Sequence, residues 1–139
     1  SLGVRMERHC ANALAVAKWL DADPRVSWVS FPGLETDKYH ALAEKYMPNG
    51  TCGVISFGVP GGREKVSAFL DHLKMVSIAT HVADARSCTL YPAGTTHRQL
   101  TEEQLEEAGV GIDLVRLSCG IENTADIIAD LDQALAAVQ

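Results

Sequence analysis

From Val4 to Asp21 the apolar residues Cys10, Ala13, Leu14, Ala17 and Leu20 recur at helical spacing, with Arg8, Asn12 and Lys18 as polar positions between them. The pattern predicts an amphipathic helix that Pro24 keeps from continuing. Val26 to Phe31 reads as a short strand stopped by Pro32-Gly33, and residues 37–46 as a second helix with Tyr39, Leu42 and Ala43 on one side. After a Pro48-Asn49-Gly50 loop, Gly53 to Val59 alternates, with Ile55, Phe57 and Val59 on one face. Pro60-Gly61-Gly62 turns the chain into a helix over 63–73 that aligns Val66, Phe69, Leu70 and Leu73.

Met75–Thr80 and Cys88–Tyr91 predict two short strands around an irregular stretch at 83–87. Thr101 and Gln104 form a capping-box pattern, so a short helix should start there and end near Gly109. Leu114 to Cys119 alternates again: Val115, Leu117 and Cys119 point one way, Leu114, Arg116 and Ser118 the other. Asn123 caps a last helix striped by Ile127, Leu131, Leu135 and Val138. This order predicts a single α/β (α+β) domain over 1–139. The expected architecture is a two-layer sandwich in which helices cover a small, mostly antiparallel sheet, because several connections are too short for a full crossover.

Composition narrows the function. The 139 residues are 47% hydrophobic and 22% charged, enough for a core without staples. Twelve Lys and Arg against eighteen Asp and Glu give a net charge of −6, and the cations are scattered. A nucleic-acid surface needs clustered cations, so neither nucleic acid nor a membrane surface is an expected partner. The four cysteines form no C-x-x-C pair, and no apolar run reaches the length of a membrane span, so a reduced, cytoplasmic setting is expected. The opening Ser1-Leu2-Gly3-Val4-Arg5 turns charged at once, unlike a secretory leader, and starts without Met, as an excised or processed product would.

Local chemistry is sparse. No two of His9, His40, His72, His81 and His97 have the i, i+4 spacing of a helical metal site, and only His81 and His97 lie in irregular sequence. No metal is expected. Gly58-Val59-Pro60-Gly61-Gly62 matches neither phosphate-binding fingerprint and reads as a strand-to-helix turn. Glu102, Glu103, Glu106 and Glu107 make a solvated acidic face. Ser87, Thr95 and Thr96 could meet a ligand, yet none has a base spaced to make it a nucleophile. Arg116 sits inside an apolar strand. Its guanidinium could grip a carboxylate in bidentate fashion, although on the residues alone an arginine on a solvated sheet face is the plainer reading.

Three stretches in order carry a resemblance. Arg5-Met6-Glu7-Arg8-His9-Cys10-Ala11-Asn12-Ala13, Tyr91-Pro92-Ala93-Gly94-Thr95-Thr96-His97 and Leu114-Val115-Arg116-Leu117-Ser118-Cys119-Gly120-Ile121-Glu122 resemble the entry helix, the His-Pro-Ala-Ser-(any)-Thr-His loop and the Val-Arg-Leu-Ser strand of the C-terminal domain of the Cys/Met-metabolism pyridoxal-phosphate (PLP) enzymes. Tyr39-His40 to Tyr46 and Gly53-Val54-Ile55-Ser56-Phe57 resemble the O-acetylhomoserine sulfhydrylase branch. Ala83-Asp84-Ala85-Arg86-Ser87 is similar to the family's loop beside the substrate. Against the family pattern, Tyr91 stands for His, Gly94 for Ser, Ala83 for Gly and Cys119 for Val.

The resemblance implies a transferase that uses PLP on a lysine Schiff base to make homocysteine from O-acetylhomoserine and sulfide. It assigns the substrate carboxylate to Arg116 and puts His81 and Ser87 at the substrate. It places the Schiff-base lysine, the phosphate site and the ring-stacking aromatic in an N-terminal domain. Lys18, Lys38, Lys45, Lys65 and Lys74 match no lysine motif of the family. By this reading the chain holds no catalytic residue and neither binds PLP nor turns over alone. Its partners would be its own N-terminal domain and further subunits of a homodimer or homotetramer. Methionine γ-lyase or cystathionine γ-synthase chemistry, or a free-standing binding module without catalysis, are the alternatives.

Overall fold

The computed structural model describes residues 1–139. Helices α1 (Leu2–Asp21), α2 (His40–Tyr46), α3 (Gly62–Asp71), α4 (Glu102–Glu107) and α5 (Thr124–Ala136) accompany strands β1 (Val29–Ser30), β2 (Val54–Gly58), β3 (Ser77–Ile78), β4 (Cys88–Leu90) and β5 (Leu114–Ser118). The strands form one sheet in the order β1-β2-β5-β4-β3.

That sheet is mixed, which corrects the expectation of a mostly antiparallel one. β1–β2, β2–β5 and β4–β5 pair antiparallel, but the edge strand β3 runs parallel to β4. A tight hairpin would force β3 and β4 antiparallel; the segment 79–87 instead loops out and re-enters at the same end. Such crossovers are usually longer, but strands of only two and three residues leave little length to retrace.

The alternation read along β2 and β5 holds. Ile55 and Phe57 on β2 and Val115 and Leu117 on β5 are buried in one core with Ala13, Val16 and Leu20 of α1, Phe69 of α3, and Ile127 and Leu131 of α5. Phe57 and Phe69 meet edge to face with centroids 6.1 Å apart. The capping box at Thr101–Gln104 is complete, and the Asn123 side chain accepts the Ala125 N–H as an N-cap should.

Three elements depart most from the sequence reading. The strand expected over Val26–Phe31 shrinks to Val29–Ser30, and the one over Met75–Thr80 to Ser77–Ile78. α2 starts at His40, not at residue 37, because the Asp37 carboxylate accepts the N–H groups of Phe31 and Tyr39 and holds a turn there. The entry to β3 is fixed from α5, where the buried Asp130 carboxylate accepts the backbone N–H groups of Lys74, Met75 and Val76 at 2.8–2.9 Å. This anchor sets where β3 lies, and so where the segment 79–87 begins.

Candidate functional site

Alternation along β5 puts Arg116 and Ser118 on the face opposite the α1–α3–α5 core. Arg116 lies between Ser56 of β2 and Leu90 of β4. Its side chain is half-buried and makes no ion pair with a carboxylate of this chain; Nη2 donates to the Thr80 carbonyl at 3.3 Å. Thr80 is the second residue of the segment 79–87, which arches over this face. The next residue, His81, is exposed, and its Nδ1 lies 3.9 Å from the Asp84 carboxylate. The Arg86 N–H, then the charges of Arg86, His81 and Arg5, hold the Asp84 carboxyl below its ordinary pKa.

Structure therefore brings Arg116 and His81 to one surface. Ser87 closes the same segment but is wholly buried. Its Oγ donates to Glu122 Oε1 at 2.9 Å and accepts the Gly120 N–H at 2.9 Å, while its own N–H goes to Glu122 Oε2 at 2.8 Å. Those bonds hold the end of the segment against the turn that follows β5. That turn is tight: a Cβ on Gly120 would sit 2.4 Å from the Ala85 carbonyl oxygen and 2.6 Å from the Arg86 carbonyl carbon. Only glycine fits this approach.

A row of polar residues on α1, of which the sequence reading gave Arg8 and Asn12 only as polar positions of an amphipathic helix, braces the site from behind. Arg5 Nη2 donates to the Ala83 carbonyl at 2.6 Å, and Arg8 Nη2 to the Glu122 carbonyl at 3.1 Å. His9 Nδ1 lies 2.6 Å from the Cys119 carbonyl. Asn12, also buried, donates to the carbonyls of Gly120 and Glu122 and accepts from Thr124 Oγ1. The signal was present: Arg5, His9 and Asn12 fall at i, i+4 and i+7, one helix face. In the fold that row meets backbone carbonyls that need donors.

Two departures from the family pattern explain each other. The Tyr91 ring is buried, and a Cβ on Gly94 would lie 2.8 Å from its Cδ1. The larger ring at 91 occupies the space a side chain at 94 would need. The His97 ring pairs only with its neighbour, Nδ1 standing 2.8 Å from Thr96 Oγ1. No group of three or more His, Cys, Asp or Glu side chains is arranged to hold a metal ion, and no helix is long and apolar enough to cross a membrane.

The profile of the Cys/Met metabolism PLP-dependent enzymes matches residues 1–136. The chain belongs to that family. It is 49% identical over 135 residues to a homocysteine synthase of Schizosaccharomyces pombe, covering 97% of this chain and 32% of that protein. It is 46% identical over 136 residues to an O-acetyl-L-homoserine sulfhydrylase of Leptospira meyeri, covering 97% and 31%. Among solved structures, one assigned as an O-acetylhomoserine (thiol)-lyase of Campylobacter jejuni, carrying a pyridoxyl-lysine phosphate, superposes with a TM-score of 0.90 at 39% identity, over 97% of this chain and 32% of that one. The chain thus spans about a third of the length of these relatives.

The family's cofactor needs a lysine for its aldehyde and a cradle for its phosphate. No residue here supplies that lysine at the Arg116 face. Lys18 is on α1, Lys38 and Lys45 stand against the rings of Tyr39 and Tyr46, Lys65 donates to the Val138 carbonyl, and Lys74 follows α3. None is on β2, β4, β5 or the segment 79–87.

Proposed function

We propose that this chain is the C-terminal, substrate-side domain of a PLP-dependent O-acetylhomoserine sulfhydrylase, a cytoplasmic transferase that makes homocysteine from O-acetylhomoserine and sulfide for methionine biosynthesis. The domain's two layers, helices and sheet, would be those of the small domain of such enzymes. The observation that carries the reading is Arg116: a half-buried guanidinium on an open sheet face, tied to one carbonyl and to no carboxylate of the chain. A planar fork so placed suits the α-carboxylate of an amino-acid substrate. His81 stands at its rim, and Ser87 keeps the segment that carries His81 closed against β5.

In this reading the Schiff-base lysine, the phosphate cradle and the ring-stacking aromatic belong to an N-terminal domain, and the isolated chain gives no homocysteine when PLP, O-acetylhomoserine and sulfide are supplied. That domain and the other subunits of a homodimer or homotetramer are its partners. Tyr39, Leu42 and Tyr46, each more than half exposed around α2, suit a surface covered in such an assembly.

The test is Arg116→Lys in the full-length enzyme, which keeps the charge and loses the fork. The expected result is a KM for O-acetylhomoserine raised on the order of ten- to a hundredfold, with the KM for sulfide little changed. Unchanged amino-acid kinetics would remove Arg116 from the site. Elimination to an oxo acid instead of replacement by sulfide would favour a methionine γ-lyase.

A further inference from the structure

Ala83 is the one residue other than glycine with a positive φ, at 56°. An L side chain disfavours this left-handed region, so the conformation needs outside support. Two contacts supply it. Ser118 Oγ accepts the Ala83 N–H at 3.1 Å, and Arg5 Nη2 donates to the Ala83 carbonyl at 2.6 Å. Ser118 is buried and lies two residues along β5 from Arg116, on the same face. Arg116 in turn reaches the Thr80 carbonyl. β5 therefore grips the segment at both ends of 80–83, with His81 and Val82 exposed between the grips. Arg5 Nε is buried without a hydrogen-bond partner, while Nη2 of the same half-buried side chain serves the Ala83 carbonyl.

We infer that Ser118 and Arg5 are positioning residues: by clamping Ala83 they hold the 80–83 segment against Arg116, fixing the direction of its guanidinium and the place of His81 beside it. The inference rests on the carboxylate role of Arg116. A substrate carboxylate meets a fork already oriented, so less ordering is left for the binding step. Neither clamp residue touches the reacting bonds, so loosening the clamp weakens substrate binding more than turnover.

The test compares Ser118→Ala, Arg116→Lys and the double variant Ser118→Ala/Ala83→Gly in the full-length enzyme. Ser118→Ala raises the KM for O-acetylhomoserine about 3- to 10-fold, the equivalent of one hydrogen bond, and leaves kcat and the KM for sulfide within about twofold. Glycine adopts positive φ without help, so Ala83→Gly recovers most of that loss in the Ser118→Ala background. Amide hydrogen exchange across 79–87 follows the same order, faster in Ser118→Ala and slowed again in the double variant. The inference is overturned if Arg116→Lys raises the KM and Ser118→Ala does not. It is equally overturned if Ser118→Ala lowers kcat and stability together and Ala83→Gly recovers neither, since Ser118 would then be only a packing residue. If Arg116→Lys changes nothing, the carboxylate reading falls and takes the clamp's purpose with it.

Discussion

Removing the Asp130 carboxylate should unfasten β3 from α5. It accepts three consecutive backbone N–H groups, those of Lys74, Met75 and Val76, and a fourth bond from Gln133. Hydrogen bonds to a charged acceptor contribute roughly 1.5–3 kcal/mol each when buried and much less where water can replace the partner. The Val76 N–H is buried and the other donors are partly wet. Asp130→Ala should therefore cost about 3–5 kcal/mol, a large part of the roughly 5–15 kcal/mol a domain of this size possesses. That corresponds to a fall in Tm of roughly 10–15 °C. Asp130→Asn keeps the shape and one acceptor and should cost about half as much. The assay is urea unfolding followed by the fluorescence of Trp19 and Trp28, with m-values compared to exclude a change in the unfolded state.

The pH dependence carries the sharper test. Burial pushes the Asp130 pKa up, but the bonds from Val76, Lys74, Met75 and Gln133 together outweigh it and hold the carboxyl below its ordinary value. A depressed folded-state pKa means that its stabilisation is fully present above the unfolded value of about 3.9 and fades as pH falls through the folded value. The gap between wild type and Asp130→Asn should stay constant from about pH 5 to pH 8 and close in more acid solution. A cost for Asp130→Ala under about 1 kcal/mol, or a gap that persists unchanged into acid, would refute the reasoning.

The remaining predictions concern packing and thiols. Gly94→Ser should cost about 1–3 kcal/mol by driving a side chain into the Tyr91 ring, and Tyr91→His should relieve most of it, which a double-mutant cycle of unfolding free energies would read. Cys119 lies wholly inside the core, where burial, then Glu122 and Cys52, pushes its pKa up to about 12. At pH 8 it should resist a disulfide-exchange reagent until the chain unfolds, while Cys10 and Cys52, which are partly exposed, react first; mass spectrometry of the modified peptides would show the order.

Much of this fold was legible because local patterns and tertiary burial agree. The alternation in β2 and β5, the stripe of α5, the capping box of α4 and the Asn123 cap all survive, since each is set by a period or a local hydrogen bond that needs no distant partner. The resemblance singled out Arg116 and His81, and alternation alone placed Arg116 on the face away from Leu117. What the sequence could not determine was direction and pairing at a distance. The parallel pairing of β3 with β4 depends on how the segment 79–87 folds back, and that path depends on Asp130, on Ser118 and on a turn at Gly120 that only glycine permits. Ser87 is a polar residue in an irregular stretch, and nothing in its neighbours tells that its hydroxyl is spent on Glu122 and Gly120. The polar row of α1 reads as a wet helix face until the carbonyls of Ala83, Cys119, Gly120 and Glu122 are brought against it. Period and composition determine which side of an element is buried; which backbone groups then need partners is decided only when the chain closes on itself.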